Sequence, residues 1–218
     1  MIIDNYKTIE GESYGEFKDK GSKFYAYAFP VEAEADVTRC LQIVKKEHFK
    51  ARHHCYAYRV GLDKNNFRAN DDGEPSSTAG KPILGQIDSF GLTNVLIVVV
   101  RYFGGTKLGV SGLINAYRTS AAAALQAAVS IEKTIQDIYE ITFQYAVMGD
   151  VMNAIKKLNV EMRGQDFGAV PKLHIAIRKS EVDDTLIRLK AQIAKISVEE
   201  ASTLETFDLA DFVYLKTL

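Results

Sequence analysis

Hydrophobic and polar positions change period several times along this chain, and each change marks an element. Residues 4–30 alternate and turn like antiparallel strands. Gly21-Ser22 separates Tyr14–Asp19 from Lys23–Phe29, where Phe24, Ala26 and Ala28 share one face and Tyr25, Tyr27 and Phe29 the other. Pro30 ends that run. Ala35–Phe49 shifts to helical spacing, with Val37, Cys40, Leu41, Val44 and His48 on one stripe. Lys45, Lys46, Lys50 and Arg52 crowd its end, where cations suit the helix dipole. His53–Val60, HHCYAYRV, returns to alternation and predicts a strand with Cys55, Ala57 and Arg59 on one side. A turn over Leu62–Asn66 and a short return strand to Ala69 follow. The polar stretch Asn70–Thr78 is rich in turn formers. It leads to a short helix, Pro82–Phe90, stopped by Gly91.

The strongest pattern is Val95–Tyr117, VLIVVVRYFGGTKLGVSGLINAY. A continuous β-branched run stops at Arg101, Tyr102 and Phe103 follow, and a glycine-rich turn carries Lys107. A helix is expected to open at Ser111 as its N-cap, with Leu113, Tyr117, Ala121, Ala124, Leu125 and Ala128 on one face. A boundary falls near Ser130–Ile135. Beyond it come a strand at Ile135–Tyr145, a helix at Met148–Leu158, and a strand pair, Val160–Phe167 and Lys172–Lys179. Ser180–Asp183 resembles a capping box opening a helix to Ala194, and Ile196 is expected to begin the last strand. The order β-α-β-β-α-β predicts a ferredoxin-like split βαβ sandwich. Glu205–Tyr214 reads as either a further strand or an edge cover. The fold class expected is therefore α+β in two domains, 1–131 and 134–218.

Composition narrows the function classes. The chain has 218 residues, long enough for two small domains with real cores. Its net charge is −1, so no overall charge draws it to nucleic acid or acidic lipid, and any basic patch must be local. Cys40 and Cys55 form no CxxC or disulfide framework, which suits a reducing compartment. The N-terminal stretch lacks the features of a signal peptide, and the run Val95–Val100 is too short to span a bilayer. A cytoplasmic protein with no membrane partner is expected.

Four stretches taken together resemble the YigZ/IMPACT family: Gly21-Ser22-Lys23-Phe24, the HHCYAYR segment at His53–Arg59, DDGEPSSTAGKPIL at Asp71–Leu84, and VVVRYFGGTKLG at Val98–Gly109. The match covers roughly residues 15–128, and chain length and the second pattern look like the bacterial two-domain members. The resemblance implies that the first domain is like the second domain of a small-subunit ribosomal protein, a fold shared with domain IV of elongation factor G. It implies a second domain like domain V of that factor. Eukaryotic relatives regulate translation by competing for an activator of a starvation-responsive initiation-factor kinase. For bacterial members the fold implies nucleic-acid or ribosome binding. This chain departs from the family pattern at His54, where asparagine is usual, and at Ser77, where glycine is common. It departs also at Val110-Ser111 and at Asn115, which removes a positive charge one turn into the helix.

The candidate chemistry has competing readings. Gly104 and Gly109 have the G-x-x-x-x-G spacing, but Val110-Ser111 stands where a phosphate loop needs Lys-Ser or Lys-Thr. That departure argues against a Walker-type nucleotide hydrolase. The loop could hold a backbone phosphate through its N–H groups with Arg101 and Lys107, or could simply be a tight strand-to-helix corner. Asp71, Asp72 and Glu74 offer a metal site or an acid/base pair, or carboxylates that cap backbone N–H groups. Their spacing is not that of an EF-hand loop. His53 and Cys55 share a strand face; Cys55 reads as core, and His53 as either structural or a recognition residue. Tyr56, Tyr58, Tyr102 and Phe103 lie near basic residues, as stacking platforms for single strands do, although tyrosine is also a normal strand residue.

The leading expectation is a translation-linked binding or regulatory factor without defined catalysis, metal or cofactor. It would contact RNA, the ribosome or a translation-regulatory protein. Its site would draw on His53, Arg59, Asp71, Asp72, Glu74, Lys81, Arg101, Tyr102, Lys107 and Ser111. The rivals are a small-substrate hydrolase or transferase using Asp71, Asp72 and Glu74, and a purely protein–protein competitor.

Overall fold

The apolar run at Val95–Val100 is the middle of a five-stranded, wholly antiparallel sheet, in a computed structural model that describes residues 4–63 and 65–218. Lys64, within the turn expected after Leu62, lies outside the described residues. In chain order the first part comprises β1 (Asn5–Ile9), β2 (Ser13–Asp19), β3 (Ser22–Pro30), α1 (Glu34–Glu47), β4 (His53–Val60), β5 (Asn66–Asn70), α2 (Gly80–Ser89), β6 (Val95–Tyr102), α3 (Gly109–Ala127) and β7 (Ser130–Thr134). The second comprises β8 (Gln136–Phe143), α4 (Met148–Lys157), β9 (Glu161–Phe167), β10 (Pro171–Arg178), α5 (Val182–Ala194), α6 (Val198–Ser202) and β11 (Ala210–Thr217). Two units result, Tyr6–Lys133 and Thr134–Leu218, the latter including Asp4 and Asn5.

In the first unit the strand order is β2-β3-β6-β4-β5. β6 is buried on both faces, which is why it reads as continuous rather than alternating. Ile97 and Val99 face α2 and α3, whose Ile83, Ile87, Leu113, Tyr117 and Ala121 complete one core. Leu96, Val98 and Val100 face α1, whose Val37, Cys40 and Val44 complete another. The alternation read in β3 holds: Phe24, Ala26 and Ala28 join the first core and Phe29 the second. The alanine-rich face of α3 lies so close to β2 that a Cβ on Gly15 would sit 2.3 Å from the Ala124 backbone nitrogen. Beside the sheet, β1 and β7 make a two-stranded ribbon. The polar sequence SIEKT of β7 carries no strand period, and by pattern alone it reads only as a boundary.

The second unit has strand order β11-β8-β10-β9, every neighbour antiparallel, which is the ferredoxin-like arrangement of two interlocked split βαβ units. Ile141, Phe143, Leu173 and Ile175 bury against Val151, Ile155, Leu189 and Ile193 of the two long helices. Two expectations are corrected here. The last strand does not begin at Ile196. A short helix intervenes, capped by Ser197 and Glu200, whose side chains accept each other's backbone N–H groups, and the strand lies in the tail at Ala210–Thr217. That strand is an edge with a register shift between Tyr214 and Lys216, so its alternation is broken. Nor does Ser180 cap α5. A 3-10 turn at Lys179–Glu181 precedes the helix, Glu181 takes the cap position without a side-chain bond, and Ser180 instead hydrogen-bonds Asp4 through its backbone N–H and its hydroxyl.

Overpacking of a well-filled interior costs about 1–3 kcal/mol. Gly15→Ala is therefore expected to lower the thermal midpoint by roughly 2–4 °C for each kcal/mol of destabilisation, read by circular dichroism. A midpoint equal to the parent's would show that α3 does not lie this close to β2.

Candidate functional site

The glycine-rich loop after β6 is fixed by the close approach of two turns. Gly21 has φ +79° at the β2–β3 turn, and a Cβ on Gly104 would fall 1.9 Å from the Gly21 carbonyl carbon. Only glycine fits there, and the Gly104 N–H donates to Ser22 Oγ at 3.1 Å. Register then places Lys23 opposite Tyr102, and Arg101 between Phe24 on β3 and His53 on β4. The chain enters β4 directly from the end of α1, so the cations beyond that helix arrive at the same edge of the sheet.

A cleft of about 430 Å³ forms there, lined by Lys50, Ala51, Arg52, His53, Arg101, Tyr102 and Phe103. A second cavity, about 460 Å³, is lined by Gly21, Lys23, Tyr25, His48, Tyr102 and Phe103. The acidic loop lines neither. Of the expected residues, His53, Arg101 and Tyr102 thus share the cleft. Lys107 and Ser111 are exposed in the following loop and first helical turn, and Lys81 is exposed in the first turn of α2. Arg59 stands at the far end of β4, six residues or roughly 20 Å from His53. There it pairs with Asp88 at 2.7 Å and stacks over Phe67. Ser111 is not an N-cap: α3 begins at Gly109, with Leu108 in the cap position and no side-chain cap bond.

The three carboxylates of the loop serve the fold. Asp71 uses both oxygens, Oδ2 accepting from Ser77 N–H at 2.8 Å and Oδ1 from Ala79 and Gly80 N–H at 2.9 Å each. It caps α2 from outside the helix, supplying the partners that the first turn lacks. Burial raises its carboxyl pKa, but the bonds from Ser77, Gly80 and Ala79 outweigh that and hold it below the ordinary value. Asp72 Oδ2 accepts from the His54 backbone N–H at 2.7 Å, and its carbonyl accepts from His53 Nδ1 at 2.9 Å. Glu74 is buried and binds the Arg101 guanidinium at 2.6 Å, while the Tyr117 hydroxyl donates to the same oxygen at 2.8 Å. Among the described residues no group of three or more His, Cys, Asp or Glu side chains is placed to hold a metal. Ser77 has φ +65°, in the left-handed region that favours glycine.

Cys55 is fully buried and donates to the Asp71 carbonyl at 3.0 Å; burial pushes its thiol well above the usual range, so it is no nucleophile. His54 is buried too, its Nε2 donating to the His48 carbonyl at 3.2 Å, and burial lowers its pKa. It ties off the end of α1. Lys50 and Arg52, which the sequence pattern offers as helix-dipole partners, reach the cleft instead. The signal for this is their position just before β4.

Residues 20–125 match the Impact N-terminal domain. The IMPACT family member YvyE of Bacillus subtilis (strain 168) is 34% identical over 156 residues, covering 72% of this chain and 72% of that protein. The IMPACT family member YigZ of Escherichia coli (strain K12) is 31% identical over 166 residues, covering 73% of this chain and 81% of that one. A crystal structure described as that of a hypothetical protein superposes with a TM-score of 0.72 at 24% identity over 99% of both chains, a likeness of fold. The chain belongs to the IMPACT family.

Glu74→Gln keeps the shape but leaves the Arg101 charge buried and unpaired, at an expected cost of about 3–5 kcal/mol. Urea unfolding checks this, and an unchanged midpoint would mean that the pair contributes nothing. Asp71→Asn is expected to destabilise by about 1–3 kcal/mol near neutral pH. Because the folded carboxyl is depressed, its contribution is present above the unfolded value near 3.9 and lost as pH falls through the folded one. The stability gap between parent and Asn variant should therefore narrow below about pH 4. A gap independent of pH would rule out a charged cap.

Proposed function

We propose that this chain is a translation-linked binding factor that docks RNA, free or within the ribosome, and performs no catalysis at this site. One observation carries the reading: the cleft at the ends of β4 and β6 is lined by cations and aromatic rings without a single carboxylate. Hydrolysis or group transfer through Asp71, Asp72 and Glu74 would need those groups to face a substrate. Asp71 has both oxygens engaged in helix capping, Asp72 Oδ2 accepts from the His54 N–H, Glu74 Oε1 sits in a buried ion pair, and none of the three lines the cleft. A cationic edge on a chain of net charge −1 suits a local phosphate contact rather than bulk attraction. Membership of the IMPACT family supports the link with translation, because resemblance to that family implies regulators of translation among its eukaryotic members.

Filter binding of RNA and of ribosomes across a salt series tests this. The parent is expected to bind with an affinity that falls as salt rises. Lys50→Ala combined with Arg52→Ala should flatten the slope by about 1–2, near 0.7–0.9 for each phosphate no longer neutralised. Lys107→Ala reports whether the loop lysine joins in. Arg101→Ala is a poor probe, since it unpairs a buried Glu74. A folded parent that binds neither RNA nor ribosomes at any salt would overturn the reading in favour of a protein partner.

A further inference from the structure

Beside the basic cleft, the second cavity is walled by rings held in place by one histidine. Both ring nitrogens of His48 are hydrogen-bonded, to the Tyr27 hydroxyl at 2.6 Å and the Tyr102 hydroxyl at 3.1 Å. Tyr25 stacks on His48 at 5.6 Å and 21°, and meets Tyr102 edge-on at 5.8 Å. Three rings therefore stand fixed before any ligand arrives. Phe103 borders both cavities and is 59% exposed. Single exposed apolar residues are ordinary, but this one continues a preorganised aromatic wall and lies under the Arg101 guanidinium at 5.6 Å. Lys23 lines the aromatic cavity, Lys50 and Arg52 the adjoining cleft.

An aromatic slot joined to a cationic one, with a shared exposed ring between them, matches one chemical unit: a flat base attached to a phosphate. Base pairs inside a duplex hide their faces, so only an unpaired nucleotide can enter such a slot. We propose that the two cavities form a single subsite for an unpaired nucleotide of single-stranded RNA. The base lodges against Tyr25, Tyr102 and Phe103, and the adjoining phosphates lie along Lys50 and Arg52. The inference rests on the RNA-binding reading above and specifies the strand state that the site accepts.

Fluorescence anisotropy with a labelled oligouridine of about ten nucleotides tests it, within the site sizes single-strand binders use. The full chain should bind the single strand at least about tenfold more tightly than a duplex of equal length. Phe103→Ala, at an exposed position whose fold is checked by thermal melting, should weaken the single strand about tenfold and leave the salt slope unchanged. Lys50→Ala with Arg52→Ala should lower that slope. Equal affinity for duplex and single strand, with Phe103→Ala silent, would overturn the stacking subsite while leaving RNA docking intact. AMP binding as tightly as the oligonucleotide would overturn it in favour of a free nucleotide. Absence of any RNA or ribosome binding would overturn both proposals.

Discussion

The buried ion pair between Arg101 and Glu74 is the constraint around which the first unit closes. Both side chains are more than nine-tenths buried, so each charge depends on the other. Stripping water from two ions is costly, and their attraction offsets that cost only with good geometry and further bonds. The Tyr117 hydroxyl supplies one such bond from α3, and Cys55 on β4 approaches that hydroxyl at 3.3 Å. The face of Phe24 on β3 lies under the guanidinium. Arg101 Nε is buried and has no partner among the described residues, so the site is imperfectly satisfied. One pair thus ties the end of the central strand to the acidic loop, to the long helix and to both neighbouring strands.

This arrangement changes what the signature residues mean. Arg101, Glu74, Asp71 and Gly104 stand in two of the four stretches that carry the family resemblance, Asp71–Leu84 and Val98–Gly109, and each is engaged in holding the corner together. Asp71 caps α2, Glu74 neutralises Arg101, and Gly104 admits the Gly21 turn. Asp71, Glu74 and Gly104 line neither cavity, and Arg101, which does line the cleft, meets it with its charge already paired. In the proposed site a ligand meets the braced rings of Tyr25 and Tyr102 together with side chains outside that scaffold: Lys50 and Arg52 past the end of α1, Lys23 at the start of β3, and the exposed ring of Phe103.

The elements of the first unit are legible in the sequence because their burial is simple. β6 is covered on both faces and reads as a continuous run; β3 divides two cores and alternates. What does not show is edge structure. β11 has a register shift and mostly exposed residues, and β7 is short and polar, so neither carries a period. Within the site, the sequence brings Asp71, Glu74 and Arg101 forward as chemistry because charged residues in a turn-rich loop look available. Burial and pairing are properties of the fold, and no spacing announces that Glu74 points inward. Arg59 groups with His53 by sharing a strand, where strand length alone separates them. His48 reads as an apolar-face residue, which it is in part, but its link from Tyr27 to Tyr102 depends on strand register.

The electrostatics of the cleft follow from the same pairing. With Arg101 neutralised by Glu74, the positive field at the cleft comes from Lys50 and Arg52, with Lys23 at its aromatic side. Few charges give a weak attraction, and salt screens it within about a Debye length of 8–10 Å at ordinary ionic strength. Charge alone therefore brings a polyanion near without fixing where it sits. In the proposed RNA-docking role, placement falls to the rigid groups, namely the His48-braced rings and Phe103, whose stacking surface does not weaken as salt rises. In that proposal the division of labour is set by the buried pair: by removing its own charge from the surface, Arg101 leaves recognition to the rings that it and its neighbours hold in place.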